Sequence, residues 1–213
     1  MRVKSHVSIF LIATMIALLL GGFLLMAYSK IDIHLYINRH HSPLADFVFK
    51  YLTYLGEGWL FVLAIPVFVF YSWRKGLFIA FAGVFTGLIT GIFKNSIYAG
   101  VPRPIEYFAG MSELYLVPGV EMNHWNSFPS GHTMAAFALY FSLAIVVKRA
   151  GWSFVFFSIA ALVGYSRMYL SQHFLVDVVA GAGLGIVCAA LAFVLASKLP
   201  WKNLDKRALD LMK

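Results

Sequence analysis

The chain has 213 residues, of which 61% are hydrophobic and only 12% charged. Soluble domains carry about twice that share of charged residues, so the composition excludes a disordered chain and an ordinary soluble enzyme and indicates a polytopic membrane protein. The net charge of +8 would suggest nucleic acid as a partner of a soluble protein. In a membrane protein basic residues mainly set orientation, so we expect no nucleic-acid partner.

Six apolar stretches are long enough, or nearly so, to cross a bilayer as helices, which takes about 20 residues. They are approximately residues 7–27, 52–72, 77–98, 132–147, 152–170 and 174–197. The sequence therefore predicts an all-α protein with one domain over residues 1–213, built as a bundle of six transmembrane helices. The first stretch follows basic residues, as a signal peptide does, but its length favours a retained helix.

The basic residues predict the orientation of this bundle. Six spans put both termini on one side, together with the turns at 74–75 and 148–149, and that side holds 11 of the 17 Lys and Arg residues. Cytoplasmic loops are enriched in Lys and Arg. We therefore expect an integral protein of a bacterial inner membrane, with both termini and the basic tail 198–213 in the cytoplasm.

Two segments on the opposite, periplasmic side are long enough to hold structure. Residues 28–51 interleave apolar residues with His34, His40 and His41, which predicts an amphipathic element on the outer surface. Residues 99–131 form the longest loop, and long loops in compact chains are often functional.

Two sets of glycines recur at intervals of four residues inside the apolar stretches. Gly83, Gly87 and Gly91 form one set, and Gly181 and Gly185 form the other. Small residues at this spacing let helices approach closely, so both sets are predicted to be helix-packing surfaces.

Ionisable residues gather at the outer ends of the predicted helices. They are Lys94, Arg103, His132, Arg167, His173 and Asp177. Three cations at one point require an anion between them, and phosphate matches arginine bidentately. Ser130 and Gly131 precede a helix, whose free N–H groups form a further anion site.

The two histidines supply reactivity to this anion site. His173 and Asp177 are four residues apart and share a helix face, so the carboxylate can fix the imidazole tautomer. His173 can then act as base or nucleophile, and His132 can give a proton to a leaving oxygen. These groups together suffice for phosphoryl transfer, and we expect neither a metal nor another cofactor.

Three motifs carry a resemblance to a known family. The run Ser166-Arg167 with His173 and Asp177 resembles the third signature of the type 2 phosphatidic acid phosphatases, and Pro129-Ser130-Gly131-His132 resembles the second. Lys94 with Arg103-Pro104 is similar to the first, although eight residues separate Lys94 from Arg103 where the family has six.

The resemblance implies a metal-independent phosphatase that acts on lipid phosphates. It implies that His173 attacks phosphorus to form phosphohistidine, that Asp177 orients it, and that His132 protonates the leaving group and later activates water. It also assigns phosphate binding to five residues, which are Lys94, Arg103, Ser130, Gly131 and Arg167. In the loop above them, Glu106, Glu121 and His124 are candidates for headgroup selection.

The sequence leaves the substrate open. An amphiphilic lipid phosphate of the bacterial envelope is expected: undecaprenyl diphosphate, phosphatidylglycerophosphate or phosphatidate, with a lipid A 1- or 4'-phosphatase as an alternative. A phosphotransferase that moves the group from lipid to acceptor would share the same site. A transporter is disfavoured because the inner halves of the helices are almost wholly apolar. No oligomeric state is predicted.

Overall fold

The structure, a computed structural model, describes residues 5–200, and within that range all regular elements are helical. The elements are α1 (Ser5–Ala27), α2 (Lys30–Arg39), α3 (Pro43–Leu52), a 3₁₀ turn (Thr53–Gly56), α4 (Trp59–Tyr71), α5 (Trp73–Ile92), a π-helical turn (Phe93–Ile97), α6 (Pro104–Tyr107), α7 (Gly131–Val147), α8 (Ala150–Tyr169) and α9 (Leu175–Lys198). This confirms the predicted all-α class.

The described helices support membrane insertion, but fewer of them have the length and hydropathy of a span than the sequence predicted. Val7–Ala27, Trp73–Ile97 and Leu175–Lys198 are each long and apolar enough to cross a bilayer. The segments Pro43–Gly56 and Trp59–Tyr71 form a fourth candidate that is bent by 56°. The six-span count remains a prediction, and most of the predicted basic tail lies at residues 201–213, outside the described residues.

The predicted span 52–72 differs most from the structure. Helix α3 begins within the expected outer loop, where Ser42 caps it by accepting a hydrogen bond from the Ala45 N–H (3.3 Å). The chain then breaks at Glu57 and Gly58 before α4 begins. The prediction missed this early start because Asp46 and Lys50 interrupt the apolar residues of α3, so the apolar run was taken to begin only at Leu52.

Helix α7 lies at the centre of the bundle and packs against α8, α9 and α5. Gly181 and Gly185 of α9 allow a close approach to α7, because a Cβ at these positions would lie 2.7 Å from the Ser130 carbonyl oxygen and 2.5 Å from that of Met134, respectively. The prediction that this glycine pair is a packing surface is confirmed. Ser130 is the N-cap residue of α7 and Phe174 that of α9, so the same crossing brings two site-bearing helix starts together.

The second glycine set behaves differently. Gly83 packs against the Phe61 ring, where an added Cβ would lie 3.0 Å from Cγ, but nothing lies within 4 Å of a Cβ added to Gly87 or Gly91. The prediction that all three pack against a helix was wrong for these two residues. They line an open cavity between α4 and α5.

Candidate active site

His173 sits in the turn between α8 and α9 and is only 1% exposed. Its Nδ1 lies 3.3 Å from Oδ2 of Asp177, in the first turn of α9. The predicted pairing across four residues is therefore present. Because the carboxylate occupies the Nδ1 side, Nε2 is the ring nitrogen available to a substrate.

Asp177 is itself held by two further donors. Its Oδ2 accepts hydrogen bonds from the Ser127 hydroxyl (2.5 Å) and from the Phe174 backbone N–H (3.0 Å). Ser127 is fully buried. The sequence analysis missed Ser127, since a lone serine in a long loop carries no signal of its own.

The three predicted cations converge on this histidine. Lys94, Arg103 and Arg167 lie close enough to interact electrostatically with one another and with His173. Burial lowers the pKa of His173 well below its usual value, and the three neighbouring cations lower it further. His173 is therefore neutral at physiological pH, which is the form that can act as a nucleophile.

Arg103 is 8% exposed and is oriented by two acceptors. Its Nε donates to the Trp125 carbonyl (3.0 Å) and its Nη1 to Oε1 of Gln172 (2.9 Å). Gln172 in turn donates from Nε2 to the Glu121 carbonyl (3.0 Å). Gln172, adjacent to His173, thus links the outer loop to the cation cluster. The sequence analysis did not identify it.

Arg167 is 6% exposed and has an unused donor. Its Nη1 donates to the Thr53 hydroxyl (2.6 Å), but its buried Nε has no hydrogen-bond partner among the described residues. A buried polar group without a partner is costly, so this donor indicates a place for an anion.

Lys94 reaches the same cluster despite the longer spacing to Arg103. It lies in the π-helical turn Phe93–Ile97, and its Nζ donates to the Asn126 carbonyl (3.0 Å). A π turn takes up an additional residue and often occurs at functional sites. Gly100, at a φ of 76°, then turns the chain back towards Arg103.

Ser130 caps α7 as predicted. Its hydroxyl accepts a hydrogen bond from the Thr133 N–H (3.4 Å), and its own N–H donates to the Asp177 carbonyl (3.0 Å). A Cβ on Gly131 would lie 3.8 Å from Cε of Lys94, so the first turn of α7 adjoins the cations.

His132 forms a second histidine–carboxylate pair in the site. Its Nε2 lies 2.9 Å from Oε1 of Glu57, in the break between the 3₁₀ turn and α4. The sequence analysis missed Glu57, because no local pattern connects it to a histidine 75 residues away.

Helix α2 supports the turn that carries His173. His34 Nε2 lies 3.2 Å from the Ser171 hydroxyl, which also accepts a hydrogen bond from Asn38 Nδ2 (3.2 Å). His34 stacks on Phe108 and contacts the edge of Phe174. Burial lowers the pKa of His34 to about 4, so it is neutral at physiological pH. The interleaved histidines predicted on the outer surface thus include one that is buried.

The three candidate selectivity residues have different surroundings. Glu106 Oε2 pairs with His124 Nδ1 at 2.8 Å, and the His124 carbonyl accepts a hydrogen bond from the Arg103 N–H (2.8 Å). Glu121 contacts Gln172 through its backbone carbonyl rather than its carboxylate. Their role in headgroup selection stays a prediction.

A cavity of about 630 Å³ opens from the site into the apolar part of the bundle. Lys94, Glu57 and His132 line its polar end. Gly87, with apolar residues of α4 and α5, lines the remainder. Among residues 5–200, no group of three or more His, Cys, Asp or Glu residues is arranged to hold a metal ion.

Comparison with known proteins decides the family. The sequence model of the PAP2 superfamily matches residues 75–201. This match covers more than half of the chain and includes every residue from Lys94 to Asp177. The chain belongs to the PAP2 superfamily. With this assignment the predicted class, a membrane lipid phosphatase, is confirmed.

Similar proteins cover most of this PAP2 chain. A bacitracin transport permease protein, BcrC of Bacillus licheniformis, is 27% identical over 82% of this chain and 85% of its own length. The undecaprenyl-diphosphatase BcrC of Bacillus subtilis is 25% identical over 72% and 76%. Among solved structures, LpxE of Aquifex aeolicus has a TM-score of 0.67 and 27% identity, covering 77% of this chain and 94% of that one.

Proposed function

We propose that His173 and His132 carry a two-step hydrolysis in which phosphohistidine is the intermediate. His173 Nε2 attacks phosphorus, Asp177 holds the opposite nitrogen, and His132 protonates the leaving oxygen and then takes a proton from water. Lys94, Arg103, Arg167, Ser130 and the Gly131 N–H hold the phosphate oxygens.

The unpartnered Nε of Arg167 is the observation that carries this proposal. It is a buried donor beside two other cations and a neutral histidine, and a phosphate oxygen supplies the acceptor that it lacks. Phosphoryl transfer requires mainly positioning and charge stabilisation, and three cations supply the charge without a metal. We therefore expect EDTA to leave turnover unchanged.

For topology, we propose a single domain of six spans with the site at the periplasmic end and both termini in the cytoplasm. Helices α7 and α8 would supply the two spans beyond the four candidates. The basic residues Arg74, Lys75 and Lys148 line one shallow cavity with Ser197 at the end of α9, far along the chain from the site-bearing ends. This clustering agrees with the enrichment of Lys and Arg on the cytoplasmic side. Accessibility labelling that placed residues 105–125 in the cytoplasm would refute the topology.

For substrate, we propose a prenyl diphosphate such as undecaprenyl diphosphate. The cavity at Gly87 and Gly91 is lined by apolar residues of α4 and α5, so it can hold the hydrocarbon chain of a lipid. The polar end of the same cavity contains Lys94 and His132, so a chain lying in the cavity ends with its phosphate at the cations. The relative named undecaprenyl-diphosphatase supports the same choice.

The test is phosphate release by the purified protein in detergent, across a panel of prenyl diphosphate, phosphatidylglycerophosphate, phosphatidate and lipid A. We expect the prenyl diphosphate to have the highest kcat/KM, one phosphate released per substrate consumed, and no release by His173→Ala. A Gly87→Leu variant should raise KM for the long-chain substrate, whereas Gly22→Leu in α1, a glycine that also has open space, should not. A higher kcat/KM for a two-chain lipid would refute the proposal that a prenyl diphosphate is the substrate. Transfer of the phosphate to an acceptor other than water would refute the proposal of hydrolysis.

A further inference from the structure

The His132–Glu57 pair resembles the His173–Asp177 pair in chemistry but lies at the polar end of the cavity. The two side chains are 27% and 35% exposed, in the polar end of the cavity where Lys94 also lies. The carboxylate is thus partly screened from solvent and within reach of a bound substrate.

The backbone around Glu57 is fixed by the site itself. A Cβ on Gly56 would lie 2.8 Å from the His132 carbonyl oxygen and 2.5 Å from Val163, so only glycine permits this close approach. Three residues earlier, the Thr53 hydroxyl accepts the hydrogen bond from Arg167. The 3₁₀ turn Thr53–Gly56 therefore contacts residues of both α7 and α8. These contacts fix the backbone immediately before Glu57.

His132 lies among cationic side chains, and Glu57 places a negative charge beside it. Arg167, Lys94, Arg103 and His173 all lie near this imidazole. Glu57 is the carboxylate in hydrogen-bond contact with the ring, and a negative charge at this distance favours an imidazolium that must form beside cations. With Nε2 held by Glu57, Nδ1 is the nitrogen left to exchange a proton with a substrate.

We propose that Glu57 is a positioning residue that orients His132 through Nε2 and stabilises its imidazolium form as the leaving group departs, and that it enables the enzyme to cleave phosphomonoesters as well as diphosphates. The proposal rests on the function proposed above. A monoester expels an alkoxide, which is strongly basic and needs a proton, whereas a diphosphate expels a lipid phosphate, which is a weak base. The demand for a general acid rises with the basicity of the leaving group.

The proton balance of the reaction is as follows. His173 Nε2 forms a bond to phosphorus, the bond from phosphorus to the leaving oxygen breaks, and that oxygen takes the proton from the His132 imidazolium. Water then attacks phosphorus, the electron pair of the phosphorus–nitrogen bond returns to His173, and the proton of the water passes to His132. Glu57 stays a hydrogen-bonded carboxylate in both steps.

The test compares prenyl monophosphate with the diphosphate of the same prenyl alcohol, so that only the leaving group differs. Because kcat/KM reports the steps up to phosphoenzyme formation, Glu57→Gln should lower it roughly 10- to 100-fold for the monoester and less than about fivefold for the diphosphate. The ratio of the two rates in one preparation does not depend on the fraction of folded protein. The matched control is Glu113→Gln, an exposed residue of the outer loop, which should leave the ratio unchanged.

A second measurement distinguishes an effect of Glu57 on His132 from a purely structural effect. Glu57→Gln removes the charge that favours the His132 imidazolium, so the alkaline limb of the kcat/KM profile for the monoester should move to lower pH. Glu57→Asp retains the charge and should restore part of the ratio of monoester to diphosphate kcat/KM. Equal losses on both substrates, or no loss, would overturn the role of Glu57 while leaving the phosphatase proposal intact. A wild-type protein that releases no phosphate from either lipid would overturn both.

Discussion

The crossing of α7 and α9 at Gly185 gives a stability prediction whose size follows from the structure. In Gly185→Ala the new Cβ would lie 2.5 Å from the Met134 carbonyl oxygen, and contacts below 3.0 Å are essentially not observed, so the helices must separate. Overpacking of this kind costs about 1–3 kcal/mol, offset by up to about 1 kcal/mol of improved helix propensity. The expected net loss is therefore about 1 kcal/mol, the middle of a range from about 0 to 2 kcal/mol.

Gly183, two residues earlier in the same helix, is the matched control. A Cβ there meets nothing within 4 Å, so Gly183→Ala should keep only the propensity gain of about 0.5–1 kcal/mol. The assay is thermal unfolding in detergent with a thiol-reactive dye, because the single cysteine, Cys188, is buried in α9 and becomes reactive on unfolding. For a chain of this size a loss of about 1 kcal/mol lowers the unfolding temperature by about 2–4 °C, so Gly185→Ala should unfold about 2–4 °C below wild type and Gly183→Ala slightly above it. Equal shifts in both variants would refute the close α7–α9 contact.

Two further predictions concern the site and its support. Arg167→Lys keeps the charge but loses the planar fork and the contact with Thr53, so kcat/KM should fall roughly 100-fold. The exposed Arg39→Lys should stay near wild type, and similar activity in the two variants would argue against a guanidinium clamp. For His34, the folded protein has a pKa of about 4 against 6.5 unfolded. The unfolded state thus binds more protons between these values, and stability falls as pH drops from 6.5 to 4, by up to about 3 kcal/mol. Unfolding temperatures of His34→Gln should depend less on pH across this window than those of wild type, and parallel curves would contradict the buried neutral histidine.

The sequence predicted the elements that have a strong periodic or compositional signal. The starts of α7 and α9 were correct within one residue, because Ser130 is an evident cap and the apolar runs that follow are long. The second span was misplaced because Asp46 and Lys50 interrupt the apolar residues of α3, so hydropathy alone did not extend the span back to Pro43. The glycines at 87 and 91 were misread because spacing alone cannot distinguish a contact from a cavity.

For the site, the sequence identified the residues that carry unusual chemistry for a membrane helix end. Lys94, Arg103, Arg167, His173 and Asp177 do lie together, since each is expensive to bury without the others. The supporting residues were missed. Ser127, Gln172, Thr53 and Glu57 are common residue types whose partners are 50 to 114 positions away, so only the fold reveals them.

The central claim is that His173 forms a covalent phosphoenzyme during hydrolysis of a lipid phosphate. The direct measurement is mass spectrometry of protein quenched under alkaline conditions, which preserve phosphohistidine, during turnover of prenyl diphosphate. We expect one phosphoryl group on His173, more of it in His132→Ala, where water activation is slowed, and none in His173→Ala, which should also release no phosphate. Phosphate release by His173→Ala, or a phosphoryl group on another residue, would contradict it.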